Sequence, residues 1–194
     1  MKLVDLAKYG PVHRFADHHV YRTLLLLSDG KRRGRKQVAD SINLGEGSMR
    51  TIVEYLREKG YIEIRQTGIS ISPAGSEFLE SMPIRMERLE PSDLSIAARS
   101  VAVLVKDKAD RISLGIEQRD AAMKAGADGA TTVIIKEGGM LVPPDYRLDE
   151  EKPEIARGLW RLLSPRDGDV IIVGTAQEYE KAEDGALAAA FALL

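Results

Sequence analysis

Leu44-Gly45-Glu46-Gly47-Ser48-Met49-Arg50-Thr51-Ile52-Val53-Glu54-Tyr55-Leu56-Arg57-Glu58-Lys59-Gly60-Tyr61-Ile62 is the stretch whose reading decides the fold. At helical spacing Met49, Ile52, Val53 and Leu56 stand at i, i+3, i+4 and i+7 and form one apolar stripe. The opposite face carries Ser48, Arg50, Thr51, Glu54 and Arg57, all able to donate or accept hydrogen bonds. Gly45 and Gly47 permit a tight entry, and Gly60 offers a stop where φ can turn positive. Tyr61-Ile62-Glu63-Ile64-Arg65 then alternates as a half-buried strand does. The pattern predicts a helix over 46–59 followed by a strand over 61–66. An ordinary amphipathic surface helix leading into a strand would carry the same stripe, so the flanks have to discriminate.

Upstream, residues 1–12 read as an irregular arm ending at Gly10-Pro11. Residues 13–27 read as a first helix, with Val20, Leu24 and Leu27 inward, closed by Ser28-Asp29-Gly30. Lys31, Arg32, Arg33, Arg35 and Lys36 follow, five basic residues in six. A solvated charge cluster is one reading of them; phosphate contact is the other, favoured by their place just before a second helix. That helix spans 34–42 with Val38, Ala39 and Ile42 inward, and Asn43-Leu44-Gly45 turns the chain into the stretch quoted above. Downstream, strands 61–66 and 69–72 flank a tip at Thr67-Gly68. Arg65, Gln66 and Thr67 sit near this tip, within reach of a groove or of phosphates. Pro73 opens a further helix at its first position, running to Met82.

Residues 13–82 resemble the winged helix-turn-helix domains of prokaryotic transcription regulators. The residues that carry the likeness are Val38-Ala39 through Leu44-Gly45, Ser48-Met49-Arg50, Leu56, Gly60-Tyr61-Ile62 and Ile71-Ser72-Pro73-Ala74-Gly75. The last five match a leucine-threonine-x-x-glycine ending common after such wings, with Ser72 in the threonine's place. The likeness implies a recognition helix at 46–59, with Ser48, Arg50, Thr51 and Glu54 nearest base edges in duplex DNA. It is less specific for the target, because such domains also serve as protein-interaction modules.

From residue 83 the pattern changes. Residues 82–91 read as a linker, although Ile84, Met86 and Leu89 also suit a strand. Ser100–Val105, 131–136 and 169–173 are short apolar runs that read as buried strands, and 140–142 returns from a turn at Glu137-Gly138-Gly139. Helices are expected over 115–125, 151–163 and 177–194. Strands alternating with helices predict an α/β domain over 83–194, beside the α+β character of the first 82 residues.

Three places in this second half are candidates for ligand chemistry. Glu117, Gln118, Arg119 and Asp120 crowd polar side chains into the start of one helix, although an early Glu also simply complements the helix dipole. Gly129-Ala130-Thr131-Thr132 is a small-residue turn whose two hydroxyls suit an anion. Gly174 and Thr175 end the last strand, and in a mostly parallel sheet they would face the crevice where open α/β sheets bind ligands. No phosphate-loop or dinucleotide fingerprint accompanies them.

Composition excludes several classes. There is no cysteine, hence no disulfide, no Cys-ligated zinc and no thiol nucleophile. His13, His18 and His19 lack the i, i+4 spacing of a helical zinc pair and all lie in the first half, so no Ser-His-Asp set or metal site is expected, and no cofactor. Helix-surface or DNA-backbone histidines are the expectation. No apolar run reaches the ~18 residues of a membrane span. The N-terminus shows no signal-peptide core, so a cytoplasmic protein is expected. Net charge is −2 but uneven: residues 1–82 hold 13 Lys+Arg against 10 Asp+Glu, and 83–194 hold 15 against 20. A mildly basic front and acidic back suit a nucleic-acid module joined to one that does not touch nucleic acid.

Over its whole length the chain resembles an archaeal family that pairs an N-terminal winged helix with a C-terminal α/β domain. The likeness rests on Gly115-Ile116-Glu117-Gln118-Arg119-Asp120-Ala121-Ala122, Gly126-Ala127, Gly129-Ala130-Thr131-Thr132 and Gly168-Asp169-Val170. It implies a transcriptional regulator and nothing catalytic: a reader of double-stranded DNA over 1–82, and an effector-binding or dimerisation domain over 83–194. A homodimer is expected, because two symmetric copies read a palindrome with added affinity. The rival from another class is an enzyme or small-molecule-binding protein whose winged helix is an appendage, with a site near Glu117–Asp120, Thr131 and Thr175.

Overall fold

A computed structural model describes residues 2–5, 15–90 and 94–194. The expected arm and His13 lie mostly outside these residues. The chain is a mixed helix-and-sheet protein of two compact units, divided in sequence between Met82 and Pro83.

In the first unit α1 (Asp17–Leu27), α2 (Arg35–Ser41) and α3 (Glu46–Glu58) precede a hairpin of β1 (Ile62–Arg65) and β2 (Gly68–Ile71), and α4 (Pro73–Ser81) closes it. The stripe of α3 is what fastens it down: Met49, Ile52, Val53 and Leu56 are buried and pack with Val20, Leu24, Leu27, Val38, Ala39 and Ile42. Burial of four such side chains stabilises by roughly 1.5–3 kcal/mol each before chain entropy is counted. Between α2 and α3 the chain turns through Asn43, whose φ is 56°, and the Leu44 amide returns to the Ala39 carbonyl at 2.9 Å.

The hairpin pairs Ile62 with Ile71 and Arg65 with Gly68, and it gains a third partner that the basic run conceals. Arg33 and Ile69 exchange both backbone hydrogen bonds, at 3.0 and 2.8 Å. The Ser72-Pro73-Ala74-Gly75 ending then has a physical account. The Ser72 hydroxyl donates to the Gly60 carbonyl at 2.6 Å and accepts from the Gly75 amide at 3.0 Å, which caps α4. A Cβ at Gly75 would sit 2.1 Å from the Tyr61 carbonyl oxygen, so only glycine lets α4 lie this close to the start of β1.

The second unit is one six-stranded sheet in the order β3-β4-β8-β5-β6-β7. Its strands are β3 (Ile84–Leu89), β4 (Arg99–Val105), β5 (Gly129–Lys136), β6 (Gly139–Val142), β7 (Tyr146–Arg147) and β8 (Val170–Ala176). Every neighbouring pair is antiparallel. The expectation of an α/β domain is corrected here. β4 and β5 run in the same direction and are joined through α5 (Ile116–Lys124), as in a parallel crossover, but β8 inserts between them in the opposite sense. The expected linker is corrected as well: residues 84–89 are β3, the outer strand, whose alternating charges suit an exposed edge.

Alternation divides the sheet into two faces. Ala102, Leu104, Val133, Ile135, Ile171 and Val173 pack with Leu148 of α6 (Leu148–Glu151) and with Ala156, Leu159 and Leu163 of α7 (Pro153–Leu163). The other face is covered by α5 and α8 (Tyr179–Leu193). Gly174 and Gly185 allow that closeness: a Cβ at Gly174 would lie 2.7 Å from the Ala182 carbonyl oxygen, and one at Gly185 would lie 2.4 Å from the Ala127 Cβ. Asp169, buried between strands, accepts the Asp107 amide at 3.1 Å and the Arg166 amide at 2.8 Å and so ties two loops together.

Candidate functional site

With its stripe inward, α3 offers the opposite face to solvent. Arg50, Glu54 and Arg57 are exposed, and Ser48 and Thr51 are half-buried beside them. The Thr51 hydroxyl donates to the Gly47 carbonyl at 3.3 Å, leaving its lone pairs outward. Arg50 Nε stands 3.9 Å from Glu54 Oε1 with both side chains more than half exposed, a pair worth only a few tenths of a kcal/mol and easily exchanged for another partner.

The basic run is less uniform than its composition. Asp29 takes both ends of the Arg33 guanidinium at 2.7 and 2.8 Å and accepts the Lys31 amide at 3.0 Å. These bonds, the Arg33 pair first, hold the Asp29 carboxyl well below the usual carboxylate range and raise Arg33. Arg33 is thus committed to its own turn. Lys31 Nζ is 3.8 Å from Asp29, and Arg32 is 3.8 Å from Glu63. Arg65 binds the same Glu63 at 3.0 Å, and Gln66 and Thr67 are exposed at the hairpin tip. Arg35 and Lys36 are exposed, and among the described residues they make no ion pair.

The histidines correct the expectation of surface residues. His18 is buried in α1 and His19 is half-buried, with ring centroids 4.0 Å apart. The Ala16 amide donates to His19 Nδ1 at 2.9 Å. Burial, aided by the neighbouring His19 and Arg22, lowers His18 to about 3; burial, aided by Arg22, lowers His19 to about 4. Both imidazoles are therefore neutral at pH 7 and offer no charge to a phosphate.

In the second unit the three sequence candidates separate. Glu117, Arg119 and Asp120 are exposed, whereas Gln118 turns inward and is buried with its Oε1 unpartnered. Thr132 is 4% exposed, and its hydroxyl likewise has no partner. Arg119, Thr131 and Thr132 come together around a cavity of about 180 Å³ at the N-terminus of α5, walled also by Leu114, Gly115, Ile116, Val142 and Pro143. Gly174 and Thr175 do not join them. They lie inside the central strand, Gly174 under α8 and Thr175 fully buried with its hydroxyl 3.5 Å from the Gly129 carbonyl. The crevice expected there depended on a parallel sheet, which the antiparallel register removes.

A larger cavity of about 320 Å³ lies between β3 and α7, lined by Leu89, Ile155, Leu159 and Leu162 with Arg88, Glu90 and Arg161 around it. The incomplete burial of Ile155 and Leu162 shows only once β3 is placed beside them.

Residues 96–193, just over half of the chain, match the family described as domain of unknown function (DUF4443), and the chain belongs to that family. Residues 18–77 match the PH0730-like N-terminal domain. Among solved structures the chain is similar to hypothetical protein PH0730 from Pyrococcus horikoshii OT3, at 28% identity over 93% of each chain, with a TM-score of 0.73. No curated protein matches. Among the described residues no helix is long and apolar enough to cross a membrane.

Proposed function

We propose that this protein is a DNA-binding transcription regulator in which residues 13–82 form a winged helix-turn-helix. The observation that carries the reading is α3, whose apolar stripe is entirely buried while Arg50, Glu54 and Arg57 face solvent. A helix of 13 residues is about 20 Å long, sufficient to lie in a major groove. Ser48, Arg50, Thr51 and Glu54 would approach base edges. Arg35 and Lys36, which make no ion pair among the described residues, would hold phosphates more strongly than Lys31, Arg32 and Arg33, which already face carboxylates. The hairpin would add Arg65, Gln66 and Thr67. The second unit would sense a small molecule, dimerise the protein, or do both, in the cytoplasm and without catalysis.

Selection of bound sequences from a random duplex pool, at two salt concentrations, tests this. Enrichment of a palindrome is the expected result, and its half-site spacing gives the dimer geometry. Binding that enriches no sequence and collapses with salt would leave only an electrostatic footprint and overturn the reading.

A further inference from the structure

The cavity at the N-terminus of α5 combines features that no structural role absorbs. The first amides of α5, from Ile116 onward, lack intrahelical acceptors by the geometry of any helix and carry its positive dipole end. Gly115 enters the helix at φ 74°, and a Cβ there would lie 3.0 Å from Thr132 Cβ and 3.1 Å from Thr132 Oγ1. Glycine therefore makes room beside the N-terminus of α5 for the Thr132 hydroxyl, which is buried, unpartnered among the described residues and part of the cavity wall. The sheet adds a second set of polar groups. The Ile135 amide donates to Asp169 on the β8 side, so alternation turns the backbone of Thr132 away from β8. On that other side β6 pairs only from Lys136↔Gly139 to Ile134↔Leu141, and the ladder stops before Thr132.

We infer that this cavity binds a small aliphatic monocarboxylate. Its volume of about 180 Å³ is of the size that holds a short-chain acid. Leu114 and Ile116, 53% and 46% exposed, stand at its wall as apolar surface for a hydrocarbon tail. Arg119 supplies the cation. Its present partner is the adjacent Asp120 at 3.1 Å, in a pair half open to solvent that a bound carboxylate displaces at little cost. Glu117 and Asp120 beside this one cation set the charge limit: a single negative charge is accommodated and a phosphate dianion is repelled.

The inference rests on the sensor reading above only for what binding does, not for whether it occurs. The test titrates the full chain with isovalerate, with uncharged isovaleramide and with inorganic phosphate, followed by calorimetry and thermal melting. The same titrations are made on Thr132→Val and Arg119→Gln. Isovalerate is expected to bind and raise the melting midpoint, with isovaleramide and phosphate much weaker. Thr132→Val should weaken isovalerate by about tenfold or more, the loss of a hydrogen bond to a charged group. It should melt no lower than the parent without ligand, because the hydroxyl it deletes is unpartnered. Equal binding of acid and amide would overturn the inference. So would phosphate binding alone, or isovalerate binding indifferent to both substitutions. Duplex affinity with and without isovalerate separates the two readings: a bound acid that leaves it unchanged supports the site and counts against the sensor.

Discussion

α3 and α5 begin alike in sequence and end with opposite relations to solvent. Each starts behind a glycine, Gly45 or Gly115, and places several polar residues in its first two turns, Glu46, Ser48, Arg50 and Thr51 in one and Glu117 to Asp120 in the other. α3 buries Met49, Ile52, Val53 and Leu56 and leaves its polar side chains outside. α5 is inverted: Gln118 and Ala122 are buried, while Ile116 and Met123 are about half exposed. A helix that obeys the hydrophobic pattern presents its function on the outward face, where charge and shape meet a large partner. A helix that violates the pattern marks a place where folding stability yields to something else, and here a cavity lies at its end.

The two units that hold these helices should answer acid differently. All three histidines lie in the first unit, and burial lowers His18 to about 3 and His19 to about 4, against 6.5 in a free chain. Below pH 6.5 the unfolded chain takes up protons that the fold refuses. Protons bound by the unfolded state then exceed those bound by the native state, and stability falls as pH drops from 6.5 through 4 to 3. Each imidazole contributes a slope of up to about 1.4 kcal/mol per pH unit in that window. Amide hydrogen exchange read separately over α1–α4 and over the sheet checks this. Equal acid loss in both units would contradict the assignment to the histidines.

Next in size is the stripe itself. Leu56→Ala removes a fully buried side chain from the α3 core and should cost about 2–5 kcal/mol in urea unfolding. A cost near zero would mean that α3 is a loosely held surface helix, the alternative its sequence alone leaves open. That stripe is also why so much of the first unit is legible: the helix expected over 46–59 spans Glu46–Glu58, and the hairpin turns at Gln66-Thr67, one residue before the expected Thr67-Gly68, because Gly68 already pairs with Arg65. Local periodicity carries such elements because their partners are near in sequence. The second unit defeated the same method at two points. Residues 82–91, bounded by Pro83 and Pro91, read as a linker or in part as a strand, and only the pairing with β4 decides for the strand. The place of β8, last in sequence and third in the sheet, is a long-range choice that no window of residues displays. The α5 cavity depends on that choice and on where β6 stops. Thr131 and Thr132 therefore line it while Gly174 and Thr175, a separate candidate in the sequence, lie apart from it inside β8.

Smaller effects separate the cations around α3. If the proposed docking holds, Arg50→Ala should weaken binding to a selected duplex by about 1–3 kcal/mol and relax preference at one position. Lys36→Ala should weaken all sequences alike and reduce the slope of log affinity against log salt by about 0.9. Arg33→Ala should act on its own turn instead, because it removes the guanidinium that holds Asp29 while keeping the backbone pair with Ile69. Filter binding across a salt series, paired with thermal melting, distinguishes the three. A loss confined to one duplex for Lys36→Ala would reverse the assignment.

The smallest predicted effect bears most directly on the inverted helix. Gln118 is 4% exposed and its Oε1 has no partner, so a buried acceptor is held without compensation. Replacing it by an apolar side chain of similar length, Gln118→Met, removes the desolvation cost while keeping most of the packing, and should raise stability by about 1 kcal/mol. A surface substitution two positions on, Asp120→Asn, supplies the reference and should change little. A clear loss for Gln118→Met would show that the amide is satisfied by groups beyond the carbonyl oxygen, and α5 would then be a structural helix with an internal polar contact. A gain would mean that this helix retains an uncompensated polar group at a buried position one turn from Gly115, while Gly115 itself lies against a second such group at Thr132. Two unsatisfied buried polar groups in one unit, of which Thr132 lines the α5 cavity, are hard to account for by folding alone, because hydrophobic replacements at both would stabilise the unit without altering its sheet.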